Sequence, residues 1–226
     1  IDHEFVTRRI VEFMKREVRN NGFEKVILGL SGGIDSSLVA YLAVKAFGRK
    51  NVHGVIMPYK TSNPQSEEDA LRVVEALKIS FEKVEITDMV DSYFDKTPSI
   101  SDLRKGNRMA RERMCILYDL SARDRSLVMG TGNKTEMYLG YSTQHGDAAC
   151  ALLPIADLYK TQIWSLSEYL GVPQEIIDKK PSADLWIGQT DEEELGFSYS
   201  DADNVLYELL DKKKGRTQII EMGFSS

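Results

Sequence analysis

The sequence predicts an α/β fold, a doubly wound parallel sheet of about five strands flanked by helices. Short apolar runs alternate with amphipathic helical segments, the pattern of parallel βαβ units. The first strong apolar run leads through a Gly-Gly loop directly into a helix. Hydrophobic residues make up 42% and charged residues 28% of the 226, which supplies a core for one domain spanning residues 1–226.

Residues 2–20 place Phe5, Val6, Ile10, Phe13, Met14 and Val18 at helical spacing, and Asn21-Gly22 supplies the stop. Val26 to Leu30 reads as a buried strand, and Ser36 to Phe47 as a helix closed by Gly48. A second strand is expected at Val52 to Met57, followed by a Pro58 to Pro64 loop and a helix from about Ser66 to Leu77. Phe81 to Ile86 is the third strand. Thr87 to Gly106 reads as a polar stretch, Asn107 to Ala122 as a long helix and Leu127 to Met129 as the fourth strand. Beyond Pro154 the expectation is a helix at Thr161 to Leu170, a loop at Pro181 to Gly196 and a last helix near Asp201 to Leu210. Connections between parallel strands are right-handed, and ligands gather at the carboxyl ends of such strands. The loops after Leu30, Met57 and Met129 are therefore expected to face one crevice.

Composition narrows the function. A net charge of −6, from 29 basic and 35 acidic residues, argues against a broad nucleic-acid footprint. Cys115 and Cys150 form neither a CxxC pair nor a zinc cluster, and read as two thiols in a reducing compartment. Neither a membrane span nor a signal peptide is visible, so the reading is a cytoplasmic enzyme.

Ser31-Gly32-Gly33-Ile34-Asp35-Ser36-Ser37 joins the first strand to its helix. Main-chain N–H groups and the helix dipole converge there on one small volume, which favours an anion. Glycine at 32 and 33 lets phosphate oxygens approach the backbone, and the serines add hydroxyl donors. Asp35 would repel a bare phosphate, so its carboxylate makes chemical sense if it holds Mg²⁺. The loop lacks the lysine of a Walker A motif and the third glycine of a dinucleotide fingerprint; the alternative is an ordinary Gly-Gly turn capped by Ser and Asp. Gly130-Thr131-Gly132-Asn133-Lys134-Thr135-Glu136 follows the fourth strand, where Thr131 can touch a nucleotide and Glu136 can add a second carboxylate to the metal. Leu153 to Thr161 sets Lys160 just before a helix, and the series continues with Gly146-Asp147, Pro181 to Trp186 and Gly188 to Gly196.

Ser-Gly-Gly-x-Asp-Ser after a strand resembles the PP-loop of the ATP pyrophosphatases, an adenine nucleotide alpha hydrolase-like family that cleaves ATP between its α and β phosphates. Together with the downstream series, the chain resembles the ammonia-dependent NAD synthetases along nearly its whole length. The resemblance implies an ATP set of Gly29, Leu30, Ser31, Gly32, Gly33, Ile34, Asp35, Ser36, Thr131, Lys160 and Ser182. It implies Mg²⁺ on Asp35 and Glu136, with Lys160 as a third catalytic group. For deamido-NAD it implies Asn107, Arg111, Tyr118, Gln144 and Asp147. Gln144 departs from the family, in which many members carry a substrate-contacting lysine at that place. The chain also ends at Ser226 without the His-Lys-Arg segment that closes over the site in relatives, so the expectation is either that a short C-terminal segment is missing or that closure differs. The implied reaction is two-step: the nicotinate carboxylate attacks the α-phosphorus of Mg-ATP, then ammonia attacks the acyl adenylate. Relatives are homodimers, and the amino-terminal helix and the helix bearing Arg111 and Tyr118 are the candidate interface.

Two other readings follow from the loop alone. A tRNA-thiolating pyrophosphatase would need a reactive cysteine and a basic face, which the contexts of Cys115 and Cys150 and the acidic balance argue against. A nonenzymatic adenine-nucleotide sensor would have no use for two metal carboxylates. His145 stands in a polar loop with no evident partner and is not assigned as a general base.

Overall fold

Val26, Ile27 and Leu28 are fully buried on consecutive positions, which requires a strand covered on both faces. They form the middle of β1 (Lys25–Gly29) in a computed structural model that describes residues 1–95, 97, 99–186 and 188–224. β1 pairs in parallel with β2 (Val52–Ile56) on one side and β4 (Ser126–Met129) on the other, and β3 (Ser80–Lys83) pairs with β2. The sheet thus has four strands in the order β3-β2-β1-β4, against the five or so expected. The place of a fifth is taken by one parallel bridge, Met129 to Leu152, where Gly130 N–H donates to Leu152 O at 2.8 Å. Pro154 lacks the N–H needed to extend that pairing.

Alternation along the strands splits the core in two. Val26 and Leu28 face one side, with α1 (His3–Asn20), α2 (Ile34–Phe47), α3 (Pro64–Leu77) and α7 (Lys160–Leu170). Ile27 and Val128 face the other, with α4 (Thr87–Phe94) and α5 (Asp102–Asp124). α1 spends its apolar stripe on this core: Met14 and Val18 are buried, and Val6, Ile10 and Phe13 pack beside them.

Helices replace irregular structure in several segments. The expected polar stretch Thr87 to Gly106 contains α4, whose buried Val90 and Phe94 lie one turn apart, and the first turn of α5. Ser101 caps α5 by accepting from Arg104 N–H. Gly106 lies inside that helix because Leu185 crosses it: an added Cβ would meet Leu185 Cδ1 at 2.9 Å. α6 (Lys134–Leu139), α8 (Gln174–Ile177), α9 (Asp191–Leu195) and α11 (Arg216–Glu221) were not expected, and the helix near Asp201 to Leu210 is α10 (Tyr199–Leu206) running into a π-helical turn at Tyr207–Asp211. The third strand stops at Lys83, short of the expected Ile86. Lys96 and Pro98 of the polar stretch, Ile187 of the Pro181 to Gly196 loop, and Ser225 and Ser226 at the end fall outside the described residues.

The strand order reverses direction at β1. The chain runs outward through β2 and β3 and returns on the far side as β4, so the switch point, where sheets of this kind take ligands, lies between the loops leaving β1 and β4.

Candidate active site

Gly32 has φ +74°, and an added Cβ there would lie 2.1 Å from Ser66 O, so the loop after β1 passes hard against the start of α3. Within the loop, Ser31 N–H donates to Ser36 Oγ at 3.3 Å, Gly33 N–H donates to Ser31 Oγ at 3.2 Å, and Ser36 Oγ and Ser37 Oγ donate to Gly33 O at 3.0 and 2.8 Å. These bonds fold Ser31 to Gly33 over the first turn of α2, where amide groups lack helical acceptors. Lys179 reinforces the same corner, donating to Ser66 Oγ at 3.1 Å and to the buried Asp69 carboxylate at 2.9 Å.

The loop after β4 delivers the complementary half. Asn133 caps α6: its Oδ1 accepts from Glu136 N–H at 3.0 Å, and Glu136 Oε2 accepts from Asn133 N–H at 3.2 Å. The free Asn133 amide then donates to Asp35 Oδ1 at 3.0 Å, joining the two loops across the crevice. Lys160, at the start of α7, completes the set. Its ammonium donates to Asp35 Oδ2 at 2.5 Å and to Glu136 Oε1 at 3.3 Å, and lies 5.0 Å from the centre of the Tyr199 ring.

Burial makes these charges interdependent. Lys160 is 2% exposed, and its two carboxylate partners 17% and 19%. Burial alone would lower the Lys160 pKa, but the charges of Asp35 and Glu136 outweigh it and hold the ammonium above its ordinary range. Burial pushes the Glu136 carboxyl up, Lys160 pulls it down and Asp35 pushes it up again, to about 7. Asp191 sits behind this group: burial raises its pKa, and it accepts from the Tyr199 hydroxyl at 3.0 Å. Every oxygen of Asp35 and Glu136 already accepts from one donor, and two carboxylates sharing a cation are a donor set suited to a hard divalent ion.

A second group of predicted residues gathers along α5. Asn107 Oδ1 accepts from the Thr143 hydroxyl at 2.7 Å, Arg111 Nε donates to Gln144 O at 3.1 Å and the Tyr118 hydroxyl donates to Ala149 O at 2.7 Å. Asp147 accepts from Thr143 N–H at 2.8 Å, and burial raises its pKa. One face of α5 thus holds the loop Ser142 to Ala149, which returns to the sheet where Cys150 packs on Gly130. The Gln144 contact is through its main chain. Ser182 is engaged within its own loop, donating to Gln189 O at 2.7 Å and accepting from Asp184 N–H at 3.0 Å. Asp184 accepts from Asn63 N–H at 3.1 Å, which brings the loop after β2 to the same rim. Thr131 is half-buried on the β4 loop between the two groups.

Asn133, Asp191 and Lys179 were not singled out as site residues, and Arg113 only as part of the segment beside Asn107 and Arg111. The Asn-x-x-Glu spacing of a capping box could have marked Asn133. The others depend on long-range packing. Arg113 donates to Met57 O at 3.0 Å, and burial lowers its pKa to about 10. Cys115 and Cys150 are both free thiols, and burial raises the pKa of Cys150. Another acid and imidazole group, His53, Glu82 and Asp124, lies toward the opposite strand ends, where Arg123 bridges the two carboxylates.

A parallel sheet with a Ser-Gly-Gly-x-Asp-Ser loop at its switch point, facing a second carboxylate and a buried lysine, defines an ATP pyrophosphatase. The chain belongs to the NAD synthase family, whose sequence profile matches residues 6–226. It is 57% identical over 220 residues to the NH(3)-dependent NAD(+) synthetase of Fusobacterium nucleatum, covering 97% of this chain and 85% of that one. Among solved structures, the NMN synthetase of Francisella tularensis superposes with a TM-score of 0.88 at 36% identity, covering 98% of this chain and 91% of that one. The NH3-dependent NAD synthetase of Campylobacter jejuni gives a TM-score of 0.80 at 36% identity over 99% and 93%. The chain is therefore an enzyme of a ligase family that forms carbon–nitrogen bonds.

Proposed function

We propose that this enzyme amidates deamido-NAD with ammonia, using ATP and releasing AMP and pyrophosphate. The observation that carries this reading is the convergence of Asp35, Glu136 and Lys160 from three separate elements beside the Ser31 to Ser37 loop. A carboxylate is a poor electrophile because it would have to expel oxide. Adenylation gives it a phosphate leaving group, after which ammonia can attack the carbonyl carbon. The protein's part is to align the reactants and offset charge.

In this reading the Ser31 to Ser37 amides and hydroxyls take the phosphates leaving as pyrophosphate, with Gly29, Leu30 and Ile34 shaping the strand and helix ends around them. Lys160 offsets charge on the α-phosphate, and Thr131 and Ser182 reach the nucleotide from facing loops. Asp35 and Glu136 would hold Mg²⁺, which would supply charge neutralisation at the phosphate oxygens. The fit rests on the two carboxylates sharing one cation. The α5 group, Asn107, Arg111, Tyr118, Gln144 and Asp147, binds deamido-NAD, with Arg111 the cation toward its acidic end. A single domain of 1–226, a cytoplasmic setting and a homodimer complete the proposal. α1 and α5 are the candidate interface, with Phe5 of α1 and Leu103 and Tyr118 of α5 exposed. No helix among the described residues is long and apolar enough to cross a membrane. Light scattering that found only monomer at working concentration would remove the dimer.

One solved relative, that of Francisella tularensis, is named an NMN synthetase, so the acid mononucleotide is the alternative acceptor to test. The test compares the dinucleotide and mononucleotide acids, each with ammonia. A higher kcat/KM for deamido-NAD is expected, and exclusive turnover of the mononucleotide would replace the first reading by the second.

A further inference from the structure

Asp203 and Asp211 lie beyond the Pro181 to Gly196 loop, on α10 and its π-helical continuation, and have no place in the roles assigned above. Asp203 is buried. Its Oδ1 accepts from the Thr135 hydroxyl at 2.5 Å and its Oδ2 from Thr161 N–H at 2.7 Å. The Thr135 oxygen in turn accepts the N–H of Lys160 at 3.0 Å. Asp211 repeats the pattern nearer the surface: Lys134 Nζ donates to its two oxygens at 3.2 and 3.1 Å, and the Tyr159 hydroxyl donates at 2.5 Å.

Each carboxylate spans the same two elements. Thr135 and Lys134 stand in the first turn of α6, directly before Glu136; Tyr159 and Thr161 flank Lys160 at the start of α7. The backbone amides of a first helical turn lack partners within the helix, and the positive ends of two helices brought together repel. A single anion between them answers both problems. Asp203 accepts one of the unpartnered α7 amides directly and reaches a second, that of Lys160, through the Thr135 hydroxyl. Its negative charge lies between the two helix starts. The bond geometry fixes where α6 ends its approach to α7, and hence where the Glu136 carboxylate stands relative to the Lys160 ammonium.

We propose that Asp203 is a positioning residue for the metal-nucleotide centre, acting through Thr135 and the α7 amides to set the Glu136 to Lys160 spacing, with Asp211 bracing the same joint from outside. This rests on the reading of Asp35 and Glu136 as the metal carboxylates. A carboxylate that only stapled α10 to the body would affect stability; one that sets this spacing affects metal affinity as well. Partners that orient metal ligands in this way typically contribute about 10- to 100-fold in affinity or rate.

The test measures Mn²⁺ binding by electron paramagnetic resonance in the presence of ATP, alongside kcat, KM and Tm, for Asp203→Ala, Asp203→Asn and Asp211→Asn, with Asp35→Asn as the control that removes a ligand. Asp203→Ala is expected to weaken Mn²⁺ binding and lower kcat by about tenfold or more. Asp203→Asn keeps an acceptor for Thr161 N–H and should recover part of both, and Asp211→Asn should fall least because that carboxylate is more exposed. Parental Mn²⁺ affinity and kcat in Asp203→Ala, with only Tm lowered, would overturn the proposal. If Asp203→Ala does not fold, parental Mn²⁺ affinity in Asp203→Asn overturns it instead, and weakened affinity supports it. A parent protein that binds Mn²⁺ with ATP but leaves deamido-NAD unchanged would count against the substrate assignment, while the Mn²⁺ comparison among variants would still decide the role of Asp203.

Discussion

Lys160 holds two carboxylates that would otherwise face each other in a space largely closed to water. Removing one partner from such a buried group leaves uncompensated charge and costs about 3–5 kcal/mol. Lys160→Met is therefore expected to lower the unfolding free energy by about that amount in metal-free protein, with Mg²⁺ restoring much of it; a denaturant titration with and without Mg²⁺ checks both parts. If Asp35 and Glu136 hold Mg²⁺ as proposed, Asp35→Asn and Glu136→Gln remove a ligand while keeping shape, and turnover at limiting Mg²⁺ should drop by about 10²-fold or more with little change in fold. Retained turnover in single-turnover kinetics would remove the metal assignment. The raised Glu136 pKa gives a pH prediction for metal-free protein. Its folded value of about 7 lies above the ordinary 4.5, so the folded state binds a proton that the unfolded state has released. The Glu136 contribution to stability should therefore fall as pH rises from about 4.5 to about 7, and Glu136→Gln should flatten that slope. At this scale the sequence showed the acids and the lysine but not their contact, because Asp35, Glu136 and Lys160 come from elements far apart in the chain.

The elements that carry these residues are held by turns and caps. At Gly32 an added methyl meets the Ser66 carbonyl, and the backbone sits at φ +74°. Gly32→Ala should cost about 1–3 kcal/mol of stability and displace the Ser31 to Ser37 loop, which a raised KM for ATP together with a lowered Tm would report. Asn133→Ala removes both the α6 cap and the bridge to Asp35, so it should cost about 1–2 kcal/mol and weaken Mg²⁺ dependence together; loss of stability with an unchanged metal requirement would separate the two functions. Periodicity revealed α1, α2, α3, α5 and α7 because each carries a long buried stripe. It missed α4 and the start of α5, where acidic residues and Gly106 read as loop although the helix is set by Ser101 and the packing of Leu185. Short α6 and α9 offer too few turns for a period to register, and their placement depends on caps and tertiary contacts.

Across the whole molecule the strand order explains why the β1 and β4 loops meet. They stand at the reversal, where Asn133 joins the β4 loop to Asp35 beside Lys160 of α7 and Tyr199 of α10, while the α5 residues form a separate group. Alternating apolar runs made the parallel sheet legible, but not its strand number, since a single bridge at Leu152 is a property of chain path rather than of local pattern. The resemblance of the ordered motifs carried the reading from ATP cleavage to a particular acceptor, and the relatives' names agree with it. The most direct measurement is a product balance with ATP, deamido-NAD and ammonia. AMP, pyrophosphate and NAD should form in equal amounts and only when both acceptor and ammonia are present; formation of ADP and phosphate, or no AMP under any combination, would contradict cleavage between the α and β phosphates for this amidation.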